Sequence, residues 1–295
     1  MKSFSSIKTG SAVAMACSFL LLSACSESST KEGDKGSDEM PRNASTQKSE
    51  DSTDLRLPLD KYLLTADEQK IISQAREALI KKCMTRLGAQ YEPTEQEASP
   101  EIGNNERRYG LNDIELAKES GYHLPGLDQQ PSENYSKTIL KLLRGGIDTY
   151  KGVSVPAKGC LGEAQGELNE VKTQESLQGA QDLNVKSYQE SQKDPAVIAA
   201  FKEWSKCMNA AGHKYTDPIA AINDKEFSTS KPGEHERKVA VADVLCKEKV
   251  NIISIWSSVE STYQMSLIKE NSRGLEEGEN AKLRTIGVAN LAISK

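Results

Sequence analysis

The sequence predicts an all-α, disulfide-stapled body, with at most a minor strand element, behind a disordered polar tether. Three observations carry this. Helix-start and helix-stop residues bracket apolar stripes at steps of three and four. Alternating runs of strand character are nearly absent. Four cysteines remain once the N-terminal segment is set aside.

The elements follow in order. Thr65 and Glu68 form a capping box. Ile72, Leu79, Cys83 and Leu87 then share a face flanked by Ile71, Ala75 and Ile80, and Gly88 marks the stop. Asn112 and Glu115 cap a short helix ending near Gly121. Ser132 opens another, with Tyr135, Ile139, Leu142 and Leu143 inside and Gly145-Gly146 closing it. Asp194-Pro195 is an N-cap followed by proline at the first helical position, and Val197, Phe201, Trp204, Met208 and Ala211 form the stripe up to Gly212. A last long helix is predicted from about Glu234, with Val241, Leu245, Ile252, Trp256, Val259, Tyr263 and Leu267 inward and Gly274 at its end; a shorter segment runs on to Lys295. Val153-Ser154-Val155 alternates. The β-branched run at 251–255 is in register with a helical stripe and reads as helix.

Residues 1–24 have the layout of an export signal. Lys2 and Lys8 precede the apolar run Ala12–Leu22, which is too short to span a bilayer comfortably. Leu22-Ser23-Ala24-Cys25 resembles the bacterial lipobox. That resemblance implies cleavage before Cys25, a diacylglycerol on its thiol and usually an acylated new N-terminus, hence a palmitate-type anchor. Each buried methylene is worth ~0.8 kcal/mol, so two or three chains hold firmly where one does not. Residues 25–54 form the lipidated cysteine and its tether, in which eight acidic and four basic side chains surround Met40 as the sole sizeable apolar residue. Such a stretch cannot bury enough surface to offset its ordering entropy. The expected address is the extracytoplasmic face of the cell membrane, with the membrane reached through Cys25.

The helical domain spans 55–295. The whole chain carries a formal charge of −5. It has no basic excess of the kind that drives phosphate-backbone binding, so no nucleic-acid partner is expected. Cys83, Cys160, Cys207 and Cys246 are an even set in an exported domain, which argues for disulfides. No C-x-x-C pair occurs, and His123, His213 and His235 lack ligand spacing, so no metal or cofactor is expected.

The chain also echoes itself. Lys82–Tyr91 aligns without gaps to Lys206–Tyr215, with five of ten positions identical. Shared grammar for ending a helix accounts for the glycine and a following proline, but not for Lys-Cys-Met or the tyrosine. The match reads as a duplication, with halves at about 60–175 and 180–295. It favours Cys83–Cys160 and Cys207–Cys246 among the three possible pairings, each closure contributing ~4 kcal/mol in the chain-entropy model.

Cys83-Met84 with Gly88, Arg107-Arg108-Tyr109-Gly110-Leu111 with Gly121-Tyr122, Gly159-Cys160, Cys207-Met208 with Gly212 and Tyr215, and Ala242-Asp243 with Cys246 together resemble a group of actinobacterial secreted lipoproteins. The resemblance spans most of 70–250. It implies a helical lipoprotein with paired cysteines and no particular chemistry.

No catalytic residue stands out. G-x-S-x-G, H-E-x-x-H and a phosphate-binding glycine loop are all missing from the sequence. His123 and His213 both follow helix-ending glycines; a shared acid/base patch competes with the plainer reading of two exposed loop histidines that never meet. Arg107-Arg108 has the fork to hold a carboxylate or phosphate, but such a pair more often forms surface ion pairs beside a packed Tyr109. Glu234, Glu236, Glu276 and Glu277 read as solvated helix faces or N-terminal dipole partners. Trp204 and Trp256 lie on apolar stripes and read as core. The expected function is a lipid-anchored binding or interaction module at the cell envelope, its ligand a peptide or envelope component. The alternative is an envelope hydrolase. An importer's substrate-binding component would need strands that this chain lacks.

Overall fold

The computed structural model describes residues 55–93, 105–124 and 135–294. The expected signal, Cys25, the tether to residue 54 and Ser132 lie outside these residues. The described chain is helical, with one two-stranded antiparallel hairpin. In order it forms α1 (Ala66–Arg86), α2 (Ile114–Ser120), α3 (Lys137–Arg144), β1 (Thr149–Tyr150), β2 (Val153–Ser154), α4 (Gly159–Glu167), α5 (Glu170–Ser191), α6 (Pro195–Ala210), α7 (Pro218–Ile222), α8 (Glu234–Val250) and α9 (Ile252–Ile293). Among these helices, none is long and apolar enough to cross a membrane.

Local chemistry sets most boundaries. Thr65 and Glu68 make the reciprocal bonds of the capping box. Asp194 accepts from Ala196 N with Pro195 at the first position of α6. The echoed segments end their helices identically. Gly88 (φ +67°) and Gly212 (φ +90°) are left-handed, and the amides of Ala89 and His213 return to the carbonyls of Met84 and Met208. The Val153 alternation is half of the hairpin. Its turn, Lys151-Gly152, has positive φ at both residues (47° and 81°), which matches the twist of the flanking strands.

Four boundaries differ from the sequence prediction. The short helix α2 is capped by Asp113, not Asn112; its carboxylate accepts from Glu115 N and Leu116 N. Ser136, one turn inside the expected start, caps α3. The predicted long helix from Glu234 to Gly274 is two helices. Asn251 adopts the left-handed conformation (φ 57°, ψ 38°) that asparagine tolerates, so α8 stops there and α9 leaves in a new direction. Leu245, expected on the stripe, is 48% exposed, because α8 turns Val239, Ala240, Asp243, Val244 and Cys246 inward instead. Gly274 does not end α9, which continues to Ile293 past an irregular residue, Asn271, whose side-chain amide donates to Leu267 O.

Neither α4 nor α5 is among the elements that apolar spacing predicts. The buried face of α5 explains why: Glu170, Thr173, Leu177, Ala180, Ser187 and Ser191. This face runs antiparallel against α9, with Thr173 bonded to Thr285 at one end and Ser187 to Glu260 at the other. Gly278 permits the contact; a Cβ there would stand 2.7 Å from the Ser176 carbonyl oxygen.

The two largest apolar clusters among the described residues gather at the two ends of α9. One cluster joins α1, α3, α4 and Ala289 around the Cys83–Cys160 disulfide. The other joins α6, α8 and Ile252 around Cys207–Cys246. Trp204 and Trp256 are fully buried, as their stripes predict. The described residues fall in one compact unit, and α9 touches α1 as well as α5 and α6. Residues 57–63 are strapped to α9: Gln264 Oε1 accepts from Leu59 N, and Lys282 Nζ donates to the carbonyls of Lys61 and Leu63.

Two stability tests follow. Gly278→Ala should cost about 1–3 kcal/mol by overpacking the α5–α9 seam. Gly274→Ala, which faces open space, should be neutral or stabilising by up to about 1 kcal/mol. Replacing Cys83 and Cys160 together by alanine should cost about 2–5 kcal/mol. Urea unfolding followed by circular dichroism reads all three; equal midpoints for the two glycine variants would contradict the close approach.

Candidate functional site

Four constellations bring chemistry-bearing residues together. The first lies at the middle of α9. Glu260 is completely buried and its carboxylate is saturated. Arg108 Nε donates to both oxygens at 3.1 and 3.0 Å, and Arg108 Nη2 donates to Oε1 as well. Tyr109 Oη donates to Oε2 at 2.8 Å, Ser187 Oγ to Oε1 at 2.8 Å and Gln264 Nε2 to Oε1 at 3.1 Å. Arg108 also donates to Asn184 O and lies over the Tyr188 ring. The guanidinium fork therefore does hold a carboxylate, but the protein's own and in the interior. Burial and the Glu260 charge push the Tyr109 hydroxyl far above its ordinary range, so it stays a donor.

The second lies between α2 and α8. Asp243 and Lys247, one turn apart on α8, form an ion pair at 2.8 Å with both side chains buried. Trp204 Nε1 and Tyr122 Oη donate to the Asp243 carboxylate, and Lys247 Nζ donates to Leu111 O. Burial pushes the Asp243 carboxyl up and the Lys247 ammonium down, while their mutual attraction opposes both shifts. Gly110 makes room for this lysine: a Cβ there would meet Nζ at 2.5 Å.

The third surrounds the first turn of α8. His123 places Nδ1 2.8 Å from Glu236 Oε1 and Nε2 2.8 Å from Thr229 O. Glu236 also accepts from Tyr122 N, and its Oε2 is buried without a hydrogen-bond partner. Glu236 is thus not the solvated side chain its sequence neighbourhood suggests, because the 121–123 turn folds over it; Glu234 is exposed and pairs with Lys238. Arg107 Nη1 and Nη2 donate to the carbonyls of Tyr122 and His123. His213 stands against His235, ring centroids 6.0 Å apart, and His235 stands against Phe227 at 6.0 Å. Partial burial, then the His235 charge, holds His213 below its ordinary value. His123 pairs with Glu236 and Thr229, and His213 with His235. Among the described residues no group of three or more His, Cys, Asp or Glu is arranged to hold a metal ion.

The fourth is an open groove of about 640 Å³ beside α6. Its floor is Ala196, Ala199 and Ala200, with Val250 and Ile255 opposite, on either side of the Asn251 break. Lys202, Glu203 and Lys206 stand at the rim, the last two paired at 2.7 Å. The Cys207–Cys246 disulfide joins the helices that carry the two walls.

Cys83, Cys160, Cys207 and Cys246 all lie in disulfides, in the pairing the echo favours. Glu260, Lys247 and the groove residues were not singled out from sequence. Glu260 did leave a signal, as an acid on the Ile252–Trp256–Leu267 stripe. Nothing in sequence brings Asn184 or Ser187 to it. Comparison with models of protein families, with characterised proteins and with solved structures finds no match to this chain.

Glu260→Gln should cost about 3–5 kcal/mol, since it leaves Arg108 buried without its counter-charge. Glu234→Gln removes a solvated pair and should leave the urea midpoint unchanged. A midpoint for the Glu260 variant equal to that of the parent would rule out this centre as a structural clamp.

Proposed function

We propose that this chain is a lipid-anchored lipoprotein of the extracytoplasmic membrane face, related to the actinobacterial group it resembles, whose helical body is a binding module. The observation that carries the binding reading is the groove beside α6: an alanine floor open to solvent, with two lysines and one glutamate at its rim. The two deeply buried polar centres are occupied by internal partners, and both ring nitrogens of His123 are engaged. The two disulfides suit an oxidising compartment. The Leu22–Cys25 motif supports the anchor, which confines the binder to the surface where its ligand acts and raises the effective concentration there.

The chemistry of the groove selects a short peptide with apolar side chains and one acidic group. Small floor residues leave room for aliphatic side chains, and Lys202 adds a cation beyond the Glu203–Lys206 pair.

A thermal-shift screen of the full chain against short apolar peptides, with and without an acidic residue, tests this. A peptide at about 100 times its dissociation constant should add ~2.7 kcal/mol. Ala199→Leu, which fills the groove from an exposed position, and Lys202→Glu should each abolish the shift without lowering the ligand-free melting temperature. Shifts that survive both substitutions would place binding elsewhere. Intact-mass analysis of native material tests the anchor; an unprocessed N-terminus would end the lipoprotein reading.

A further inference from the structure

Both ring nitrogens of His123 face acceptors. Nδ1 lies 2.8 Å from the Glu236 carboxylate and Nε2 lies 2.8 Å from the Thr229 carbonyl. A neutral imidazole carries one N–H and can satisfy only one of them; the other nitrogen would then set its lone pair against an oxygen lone pair. The imidazolium satisfies both. We propose that His123 is held as an imidazolium and works as a proton-operated latch, which closes the loop between Phe227 and α8 over the turn at 121–123.

The surroundings fit this assignment. On α8, Glu236 is 2% exposed, accepts from Tyr122 N, and carries an Oε2 that no hydrogen bond compensates. Its charge needs a cation in contact. Arg107, on the segment before α2, spends Nη1 and Nη2 on the carbonyls of Tyr122 and His123; its charge opposes the imidazolium from that side. His235, next to Glu236 on α8, turns its ring toward His213 and Phe227. Asp243 and Lys247 lie deeper on α8, behind the Tyr122 hydroxyl. The loop itself contributes a neutral carbonyl at Thr229, and its Lys231 side chain is exposed.

Among the described residues the loop has few other ties. Thr229 Oγ1 donates to Lys231 O within the loop, and Arg237 Nη1 holds Pro232 O at the helix end. The Thr229 end therefore depends on His123 Nε2. Loss of one proton removes one of the two bonds, and the free energy favours keeping the remaining N–H toward the Glu236 carboxylate rather than the neutral carbonyl. The loop is released at Thr229, beside Phe227, which is 7% exposed when the loop is closed. The sign follows from linkage. The fold binds this proton more tightly than the unfolded chain, so the latch's contribution to stability is fully present below the unfolded histidine value of about 6.5, and the latch itself opens only as pH rises through the higher value His123 has in the fold.

Ring-nitrogen NMR of the full chain with ¹⁵N-labelled histidine decides the protonation. At about pH 7, where a free histidine is mostly neutral, His123 should show two protonated ring nitrogens, while His213 should be neutral. Hydrogen exchange at residues 228–233, corrected for its intrinsic pH dependence, should speed up at least tenfold across the His123 titration. Glu236→Gln should move that titration down by about one pH unit or more. His123→Gln should leave the loop fast-exchanging at every pH. A single neutral tautomer of His123 at about pH 7 in the parent protein, or loop protection that stays constant while His123 titrates, would overturn the proposal. Both readings come from the unsubstituted chain, so a variant that fails to fold leaves the test intact.

Discussion

The arrangement depends on one carboxylate. Glu260 sits in the middle of α9 where an apolar stripe would place a leucine or isoleucine, and it draws Arg108, Tyr109, Ser187 and Gln264 onto itself. A buried ion pair of this kind gives little net stability over a hydrophobic filling, because both ions lose hydration. Its effect is positional. A carboxylate with several donors at 2.8–3.1 Å accepts one register of α5 against α9, whereas a purely aliphatic seam would tolerate sliding. Gly278, pressed to the Ser176 carbonyl, and the Thr173–Thr285 bond fix the other half of the same seam.

With α9 positioned, the two ends of the molecule organise separately. The C-terminal part of α9 joins α1, α3 and α4, and the N-terminal part joins α6 and α8. Each end has its own apolar cluster and its own disulfide. Aromatic residues are only 5% of the chain, and they are concentrated where they count: Tyr109, Tyr188 and Phe201 surround Trp256 at ring distances of 4.9–5.2 Å. The N-terminal strap at 57–63 closes over the seam both by hydrogen bonds to polar groups of α9 and by burying Leu59 and Tyr62 against Ala180 and Leu275.

This economy bears on function. The conspicuous polar clusters are internal fastenings, and the features left facing solvent are peripheral: the groove beside α6 and the loop held by His123. Both adjoin α8, the groove at its C-terminal end and the loop at its N-terminal end. The Asn251 break creates the first, since a continuous helix would carry Val250 and Ile255 on one straight axis. The folding of the 121–123 turn over Glu236 creates the second.

What the chain shows without its fold is what short-range chemistry controls. Thr65-Glu68, Asp194-Pro195, Gly88 and Gly212 set helix ends through contacts a few residues apart, so their sequence signatures are sufficient, and the helical class follows from them. The echo around Cys83 and Cys207 is legible for the same reason, as one helix-ending geometry used twice. Tertiary structure decided the rest. The helix α5 escapes periodicity because its buried face, Leu177 apart, is made of Thr, Ser, Ala and Glu, which become interior only when α9 supplies their partners. Asn251 reads as part of a continuous helix until α8 and α9 need different packing directions. Glu260, Lys247 and His123 acquire their roles from residues 152, 136 and 106 positions away, and a pairing at that separation is selected by burial and hydrogen-bond satisfaction across the whole fold, which no local pattern encodes.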